Sequence, residues 1–426
     1  MSTSTGLSLS RSRKEKFLVF ACGLYAFLCL GSMATMSLGA VFLMVALVIT
    51  VGGPVRLFVR FRQEWNRGPA RTYLFVSFFF LFALSLSLIV ARIWPIQIGT
   101  TTVNVLFPND WAKSWYFIFP LMVAVAIRSL SPRSRNKVLK IWLGSAGVLS
   151  AIGLFQFFTG WPRPQMIPSF RPYYHATLFL GHHLSLASIF IFPFFASFDF
   201  ATRKKGESPL GWNKTRWVIL SIVLLICLFL SFSRMLWISL PIGILAFLLF
   251  RLHGKFRIGL IAVAILGIVG TASLPTVQKR MKDSLGVQER FDLWEANLFF
   301  FKQRPLTGAG FKKNHDLSGS YLFQKYPEKE NVFSGHAHNN LLDFLGSMGI
   351  MGVIAFVFWS ALAFQMAWNS RKIPESFGLG LFVAWGVFHL NGLTQVNFWE
   401  AKVMHQMMWM IGWSIVWMGT LKDQES

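Results

Sequence analysis

The sequence contains few cysteines and few acidic residues. Its three cysteines, Cys22, Cys29 and Cys227, all lie inside apolar runs, where they indicate small core side chains rather than disulfides or metal ligands. No His-Glu-x-x-His, no Gly-x-x-x-x-Gly-Lys and no Asp-x-Asp sequence occurs. These absences exclude the common zinc-protease and P-loop patterns, and also the carboxylate pair with which metal-dependent sugar-nucleotide transferases hold a divalent cation.

Long apolar runs are abundant instead. The chain is 54% hydrophobic and contains 45 Phe and 17 Trp among its 426 residues. Several runs of roughly 18 to 23 residues carry almost no charge, which is the length that crosses a bilayer core. The pattern predicts an all-α, polytopic integral membrane protein with about twelve transmembrane helices. We place the spans at roughly 17–34, 37–54, 72–93, 115–130, 139–159, 180–198, 217–232, 235–250, 258–274, 341–367, 377–391 and 403–420.

These spans predict a single membrane domain in three parts. Residues 1–274 hold transmembrane helices 1–9, residues 275–340 form one large loop with short helices, and residues 341–426 hold transmembrane helices 10–12. Most of the 41 Lys and Arg residues fall in the N-terminus and in alternate connections. Basic connections stay in the cytoplasm, so we expect both termini there and the large loop outside. The net charge of +24 then reflects topology and implies no nucleic-acid partner.

The predicted outward side is poor in charge but carries a set of ionisable residues from widely separated connections. Charged groups near a membrane are costly and tend to mark a functional path. We therefore expect one outward cavity to collect them. The set is Arg171, Arg234, Arg290, His182, His183, His336, His338 and Glu400.

The stretch SGHAHNNLLDFLGSMGIMG, residues 334–352, leads from histidines directly into an apolar run. Asn339 or Asn340 can cap the helix, and Asp343 in its first turn would complement the macrodipole. His338 would then lie just before a helix N-terminus, where free backbone N–H groups favour an anionic ligand. The glycines at 346, 349 and 352 form one stripe that would admit a neighbouring helix. The alternative is a cap, a packing stripe and an incidental histidine.

Three segments resemble the O-antigen ligase and O-antigen polymerase superfamily. His338-Asn339, nine residues and then Gly349-x-x-Gly352 is similar to its signature, in place after the longest outward loop. SFSRMLW, residues 231–237, resembles its Ser-Arg hairpin and contains Arg234. QERFDLWEANLFFFKQRPLTGAGF, residues 288–311, resembles its outer loop and contains Arg290. The alternatives are an arginine that snorkels to headgroups at 234 and a surface charge at 290.

Two further segments resemble the superfamily less specifically. FLGHHLSLASIFIFP, from Phe179, starts a span with His182 and His183 after Arg171 in the preceding connection. NFWEAKV, residues 397–403, places Glu400 at an acidic position before the last span. Each of these residues could equally be an interfacial anchor. Arg171, His182, His183, His336, Asn339 and Glu400 are thus candidates for substrate binding.

The resemblance implies a glycosyltransferase of the bacterial inner membrane with its active site facing the periplasm. Such an enzyme transfers an undecaprenyl-diphosphate-linked glycan to an acceptor sugar on lipid A–core, with inversion, no cofactor and no metal. His338, Arg234 and Arg290 are the implied catalytic residues. His338 is either the general base or a ligand of the diphosphate, with Glu400 or another group as the base.

Other activities are compatible with the same motifs. Within the superfamily, the alternatives are a polysaccharide polymerase and an enzyme that transfers the glycan to protein. A different class, a small-solute transporter, shares the predicted span count, but it would place ionisable residues at the midplane and show repeated halves. A metal held by His336 and His338 is a further alternative, although no Cys, Asp or Glu lies beside the pair.

Overall fold

The computed structural model describes residues 4–102, 105, 107–204, 210–252, 287–328 and 332–425, with scattered positions between 259 and 278. The predicted span at 258–274 and the first part of the predicted loop therefore lie outside the continuously described residues. The described chain is almost entirely helical. The sheet within it is one hairpin that pairs Gln97–Ile98 with Thr101–Thr102.

Fifteen α-helices lie in the described residues, and we number them α1 to α15 in chain order. They are α1 Ser4–Leu28, α2 Met33–Val51, α3 Pro54–Asn66, α4 Pro69–Ile93, α5 Phe107–Trp111, α6 Phe119–Arg128, α7 Pro132–Thr159, α8 His183–Ala201, α9 Lys214–Phe229, α10 Arg234–Arg251, α11 Val287–Gln303, α12 Lys313–Lys325, α13 Asn340–Ser370, α14 Gly378–Asn391 and α15 Ala401–Glu425. Short 3₁₀ helices occur at Ala112–Phe117, Pro168–Phe170 and Leu178–Leu180.

Six of these helices, α2, α4, α7, α8, α10 and α13, are long and apolar enough to cross a membrane. The shorter helix α14 is also apolar. This confirms the prediction of an all-α polytopic membrane protein. The count of about twelve spans stays a prediction, as does the division into three parts.

Two predicted elements differ in the structure. The span predicted at 115–130 consists of the 3₁₀ helix Ala112–Phe117 and the ten-residue α6, because Pro120 occupies a first-turn position where a helix begins. The basic connection after α2 contains α3, which starts at Pro54 after two glycines in positive-φ conformations. Its Val55 and Phe58 are exposed, whereas Glu64 is buried. Helix α3 is therefore amphipathic. We interpreted this segment as a basic connection and did not predict a helix there.

Helix α13 is broken at Gly349, whose φ is 62° and ψ −158°. The turn at residues 305–310 docks into this break through backbone hydrogen bonds. Ile350 N donates to Pro305 O at 2.9 Å, and Ala309 N donates to Gly346 O at 2.9 Å. The expected glycine stripe for a neighbouring helix is thus wrong in part, because Gly349 receives a turn of the loop. Gly346 does face a helix, and a Cβ there would overlap the side-chain amide of Asn297 in α11.

The helices have one polar end and one basic end. Helix α13 runs from Asn340 to the segment with Arg371, and α15 runs from Ala401 to Lys422 near its end. At the basic end, buried Glu64 pairs with Arg67 at 2.8 Å and with Arg128 at 3.0 Å. The ends at Asn340 and Ala401 meet the candidate site described next.

Candidate functional site

A cavity of about 370 Å³ lies at the polar helix ends. It is bounded by the first 3₁₀ helix, by the starts of α8 and α12, and by the loops that precede α13 and α15. The lining includes four histidines, one glutamate and two lysines, together with five uncharged residues. The lining residues are Lys113, His182, Leu184, Lys312, His315, His336, His338, Gln395, Val396, Trp399, Glu400 and Ala401.

His338 adopts a left-handed backbone conformation, with φ of 48°, immediately before α13. Its backbone N–H donates to Nδ1 of His336 at 3.3 Å, and the two ring centroids lie 4.2 Å apart. The next residue, Asn339, caps α13, because its side-chain oxygen accepts from Leu342 N at 3.1 Å. Its amide nitrogen donates to Leu393 O at 3.1 Å. The expected helix cap is therefore confirmed at Asn339. These two hydrogen bonds hold Asn339, and so the backbone directly after His338, in place.

The loop before His338 is anchored by the buried carboxylate of Asp343. One oxygen of Asp343 lies 3.0 Å from Nε2 of His315 and accepts from the Asn314 side chain at 3.0 Å and from Ala337 N at 3.2 Å. From the other side, the indole N–H of Trp294 in α11 donates to Ala337 O at 2.8 Å. We predicted Asp343 only as a partner of the helix macrodipole. It also ties α12, α13 and the histidine loop together.

The imidazole of His338 is held in its neutral form by its surroundings. Burial, together with the nearby His336 and Arg290, lowers the pKa of His338 to about 3. Burial also lowers the pKa of Arg290 from its ordinary value, and the nearby Arg234 acts in the same direction. Arg290 thus lies close enough to Arg234 and to His338 for an electrostatic effect with each, although the three residues come from three separate motifs.

Glu400 and His182 occupy the other side of the histidine cluster. The carboxylate of Glu400 accepts a hydrogen bond from the hydroxyl of Ser185 in the first turn of α8. Burial raises the pKa of Glu400 above its ordinary value and lowers that of His182. Both shifts favour neutral forms, which are the forms that can exchange hydrogen bonds with a sugar hydroxyl.

The predicted site residues are not all brought to the cavity wall. His182, His336, His338 and Glu400 line it. Arg234 begins α10 and Arg290 lies in α11; neither lines this cavity, although Arg290 acts on His338.

Arg171 and His183 lie apart from the lining. The side chain of Arg171 is exposed, on the segment whose Phe170 packs against Phe232 with ring centroids 5.4 Å apart. The ring of His183 stacks on that of His175, with centroids 4.4 Å apart. Arg171 therefore does not line this cavity, and its role in substrate binding stays a prediction.

Comparison with known proteins points to one family. The family model described as O-Antigen ligase matches residues 219–357. A Rickettsia felis protein named "Putative polysaccharide ligase" is 24% identical over 207 residues, which cover 46% of this chain and 50% of that protein. A Haemophilus influenzae protein named "Uncharacterized protein" is 25% identical over 249 residues, which cover 53% of this chain and 58% of that protein.

The chain is similar to the O-antigen ligase family over residues 219–357, and one of the two relatives is named as a polysaccharide ligase. The alignments span only about half the length of these relatives. The family match runs from α9 into the first part of α13 and so contains Arg234, Arg290 and His338. His182 and Glu400, which complete the cavity, lie outside the matched segment. The cavity is therefore assembled from the O-antigen ligase region and from helices on both sides of it.

Sequence reasoning missed several residues of this cavity. Lys113, Lys312, His315, Gln395 and Trp399 all line it but were not predicted. A signal existed for two of them, because KKNHD at 312–316 is a polar cluster directly after the glycine-rich turn. Lys113 had no such signal, since a lone lysine between spans is typical of any membrane protein. Within the part of the chain that is described, no group of three or more His, Cys, Asp or Glu is arranged to hold a metal ion.

Proposed function

We propose that this protein is a glycosyltransferase that transfers a glycan from a lipid-linked diphosphate to an acceptor sugar hydroxyl. The observation that carries the proposal is the grouping of a neutral histidine, His338, with Arg290 and Arg234 beside a cavity at the polar helix ends. The similarity of residues 219–357 to the O-antigen ligase family supports the same reaction class. The donor is an undecaprenyl-diphosphate-linked glycan, and the acceptor is lipid A–core.

Arg234 and Arg290 bind the diphosphate leaving group. A guanidinium stays protonated even when burial lowers its pKa, and it can grip phosphate oxygens with two parallel hydrogen bonds. As the bond from the anomeric carbon to the diphosphate breaks, negative charge grows on the leaving group. Fixed cations at that place stabilise the transition state more than the ground state, by about 3 kcal/mol for one contact.

His338 takes the proton from the acceptor hydroxyl as that oxygen attacks the anomeric carbon. The imidazole must be neutral for this role, and its burial keeps it neutral in the free protein. A bound diphosphate brings negative charge close by and raises the pKa of His338, which makes it a stronger base when substrate is present. Direct attack inverts the anomeric centre. The alternative has His338 orient the diphosphate while Glu400 accepts the proton.

The reaction takes place at the periplasmic face of the bacterial inner membrane, and it requires no metal. The polar cavity lies at the helix ends opposite the basic connections, which the positive-inside rule assigns to the cytoplasm. The two arginines supply the positive charge that a divalent ion supplies in metal-dependent transferases.

The test replaces His338 by Ala in the cell that makes the protein. We expect glycan transfer to fall by about a hundredfold or more, with protein level and membrane insertion unchanged. Lipid A–core should lose its polymer while lipid-linked chains accumulate, and EDTA should not alter transfer by the wild type. Lys302→Ala, at an exposed position of α11, is the matched control. Transfer at the wild-type rate in His338→Ala would overturn the proposal.

The same experiment separates the related activities. Single repeat units left on lipid A–core would identify a polymerase instead of a ligase. Solute uptake by reconstituted liposomes without any glycan transfer would identify a transporter and contradict the proposal.

A further inference from the structure

The cavity wall contains two lysines that the roles given to Arg234, Arg290 and His338 leave unused. Lys113 lies in the 3₁₀ helix Ala112–Phe117, and Lys312 lies immediately before α12. Lys312 has a left-handed backbone conformation, with φ of 62°. Its ammonium group lies 5.5 Å from the ring centroid of Phe311 and 5.9 Å from that of Trp399. Two elements far apart in sequence thus bring two cations to one wall.

The carboxylates nearest to these lysines are engaged elsewhere. Asp110 pairs with the ammonium group of Lys313 at 2.9 Å. Asp343 is occupied by His315, Asn314 and a backbone N–H of the histidine loop. Within the described residues, no carboxylate lies within ion-pair distance of Lys113 or Lys312. The lysine pair therefore faces the cavity without a counter-ion of its own.

The electrostatics of Lys312 agree with this arrangement. Burial and the neighbouring Lys113 lower the pKa of Lys312 to about 7, against the opposite effect of Asp343 and Asp110. Two like charges held together in a partly buried wall are costly unless an anion joins them. The other titratable groups of the cavity lining are Glu400, which is held by Ser185, and the histidines His182, His315, His336 and His338.

The lysine pair and the arginine pair occupy different places. Lys113 and Lys312 line the cavity, whereas Arg234 and Arg290 do not line it. If the leaving diphosphate lies at the arginines, the attacking hydroxyl approaches His338 from the remaining space of the cavity. The lysines border that space.

We infer that Lys113 and Lys312 form a second anion-binding subsite, which takes a phosphate group carried by the acceptor glycan. This inference rests on the proposed function, because it assigns the arginines to the donor. A tetrahedral oxyanion between the two ammonium groups supplies the counter-charge that the protein does not. The acceptor is thereby selected for a phosphorylated sugar close to the hydroxyl that attacks.

The subsite can be tested by anion binding to the full-length protein in detergent. Inorganic sulfate is the probe for the lysine pair, because its charge does not change between pH 6 and 9, and inorganic pyrophosphate is the probe for the arginine pair. We expect Lys312→Met and Lys113→Met each to weaken sulfate binding at least tenfold, on the order of one lost charged contact, with pyrophosphate binding retained. Arg290→Met should show the reverse pattern, and Lys302→Met should change neither.

The pH dependence of sulfate affinity is a second measurement, and a purely structural role of Lys312 would not affect it. Sulfate affinity of the wild type should fall as pH rises from 6.5 to 8.5, since Lys312 with a pKa about 7 loses its charge over that interval. In Lys312→Arg the affinity should be retained and this pH dependence reduced, because a guanidinium stays charged. The variant also controls for folding.

The outcomes separate the two proposals. Loss of pyrophosphate binding in Lys312→Met would assign the lysines to the donor and overturn the acceptor subsite. Sulfate binding that is the same in Lys312→Met and Lys302→Met would show an adventitious ion only and would also overturn it. Pyrophosphate binding unchanged in Arg290→Met would instead contradict the proposed function.

Discussion

His338 is held in a conformation that a non-glycine residue rarely adopts. A left-handed backbone costs of the order of 1 kcal/mol for such a residue, so its neighbours must maintain it. Ala337 is fixed from two sides, by the Trp294 indole and by Asp343, and Asn339 is fixed as the cap of α13. The constraint directs the imidazole into the cavity instead of along the helix. Positioning by the backbone leaves the ring itself free to exchange protons.

The pH dependence of transfer tests the neutral state of His338. Because burial disfavours the imidazolium, the free protein should keep a neutral His338 down to a pH close to its pKa of about 3. The profile of kcat/KM, which reports the free enzyme, should therefore show no acidic limb near pH 6.5 from this residue. The acidic limb of the kcat profile should lie at a higher pH than the acidic limb of the kcat/KM profile, because bound diphosphate raises the pKa of His338.

Steady-state transfer with purified donor and acceptor, measured between pH 5 and 8, checks this expectation. The replacement of His182 by Gln serves as the control, because it removes another histidine of the wall while leaving His338 in place. An acidic limb of kcat/KM near pH 6.5 that persists in the control would contradict a buried neutral imidazole.

Single residues were predictable where a motif surrounded them. His338, His336, His182 and Glu400 were each found from a local pattern, and the fold brings them to one cavity. Lys113 lines the cavity although no pattern predicted it, whereas Arg171, which was predicted for the cavity, is not part of its lining. Both are lone cations between spans, and the packing of the intervening helices decides which of them turns inward. Sequence position alone carries no information about that packing.

At the scale of elements, the break in α13 is the least predictable feature. The run after Leu341 has the length and hydropathy of an ordinary membrane helix, and its glycines at regular intervals favour helix packing. The structure uses Gly349 for a non-helical residue that accepts the turn at 305–310. This coupling joins the end of α11 to α13, and α11 carries both Arg290 and Trp294. The position of the arginine relative to His338 thus depends on the glycine.

Gly349→Ala tests this coupling. The added Cβ would overlap the backbone of Leu306 and would require a positive φ, so we expect a loss of stability of roughly 2–4 kcal/mol. Transfer should fall with it, because Arg290 loses its fixed position. The measurements are thermal unfolding in detergent and glycan transfer in membranes.

Gly386→Ala in α14 is the matched control, since a Cβ there meets no atom within 4 Å. It should leave stability and transfer unchanged. If Gly349→Ala behaved like this control in both measurements, the docking of the turn would have no role in the site.

For the whole molecule, composition and hydropathy sufficed to predict the fold class, and the predicted helix positions largely match. They could not predict α3 or the short α6, where prolines and buried polar contacts override the hydropathy of the run. The helix bundle has a polar end, where the cavity lies, and a basic end. This separation was predictable, because basic residues concentrate in alternate connections along the chain. That separation is also what the proposed reaction needs, since a lipid-linked donor must present its glycan on one side only.

The orientation of the two ends can be measured with single cysteines. The native cysteines are fully buried, so labelling of the wild type should be slight. We expect Glu328→Cys, exposed after α12, to react with a membrane-impermeant maleimide in spheroplasts, because α12 lies at the cavity end. Gln63→Cys, exposed on α3 at the basic end, should react only after lysis. The reverse pattern would place the cavity on the cytoplasmic side, where positively charged connections are favoured and an outward-facing transferase could not work.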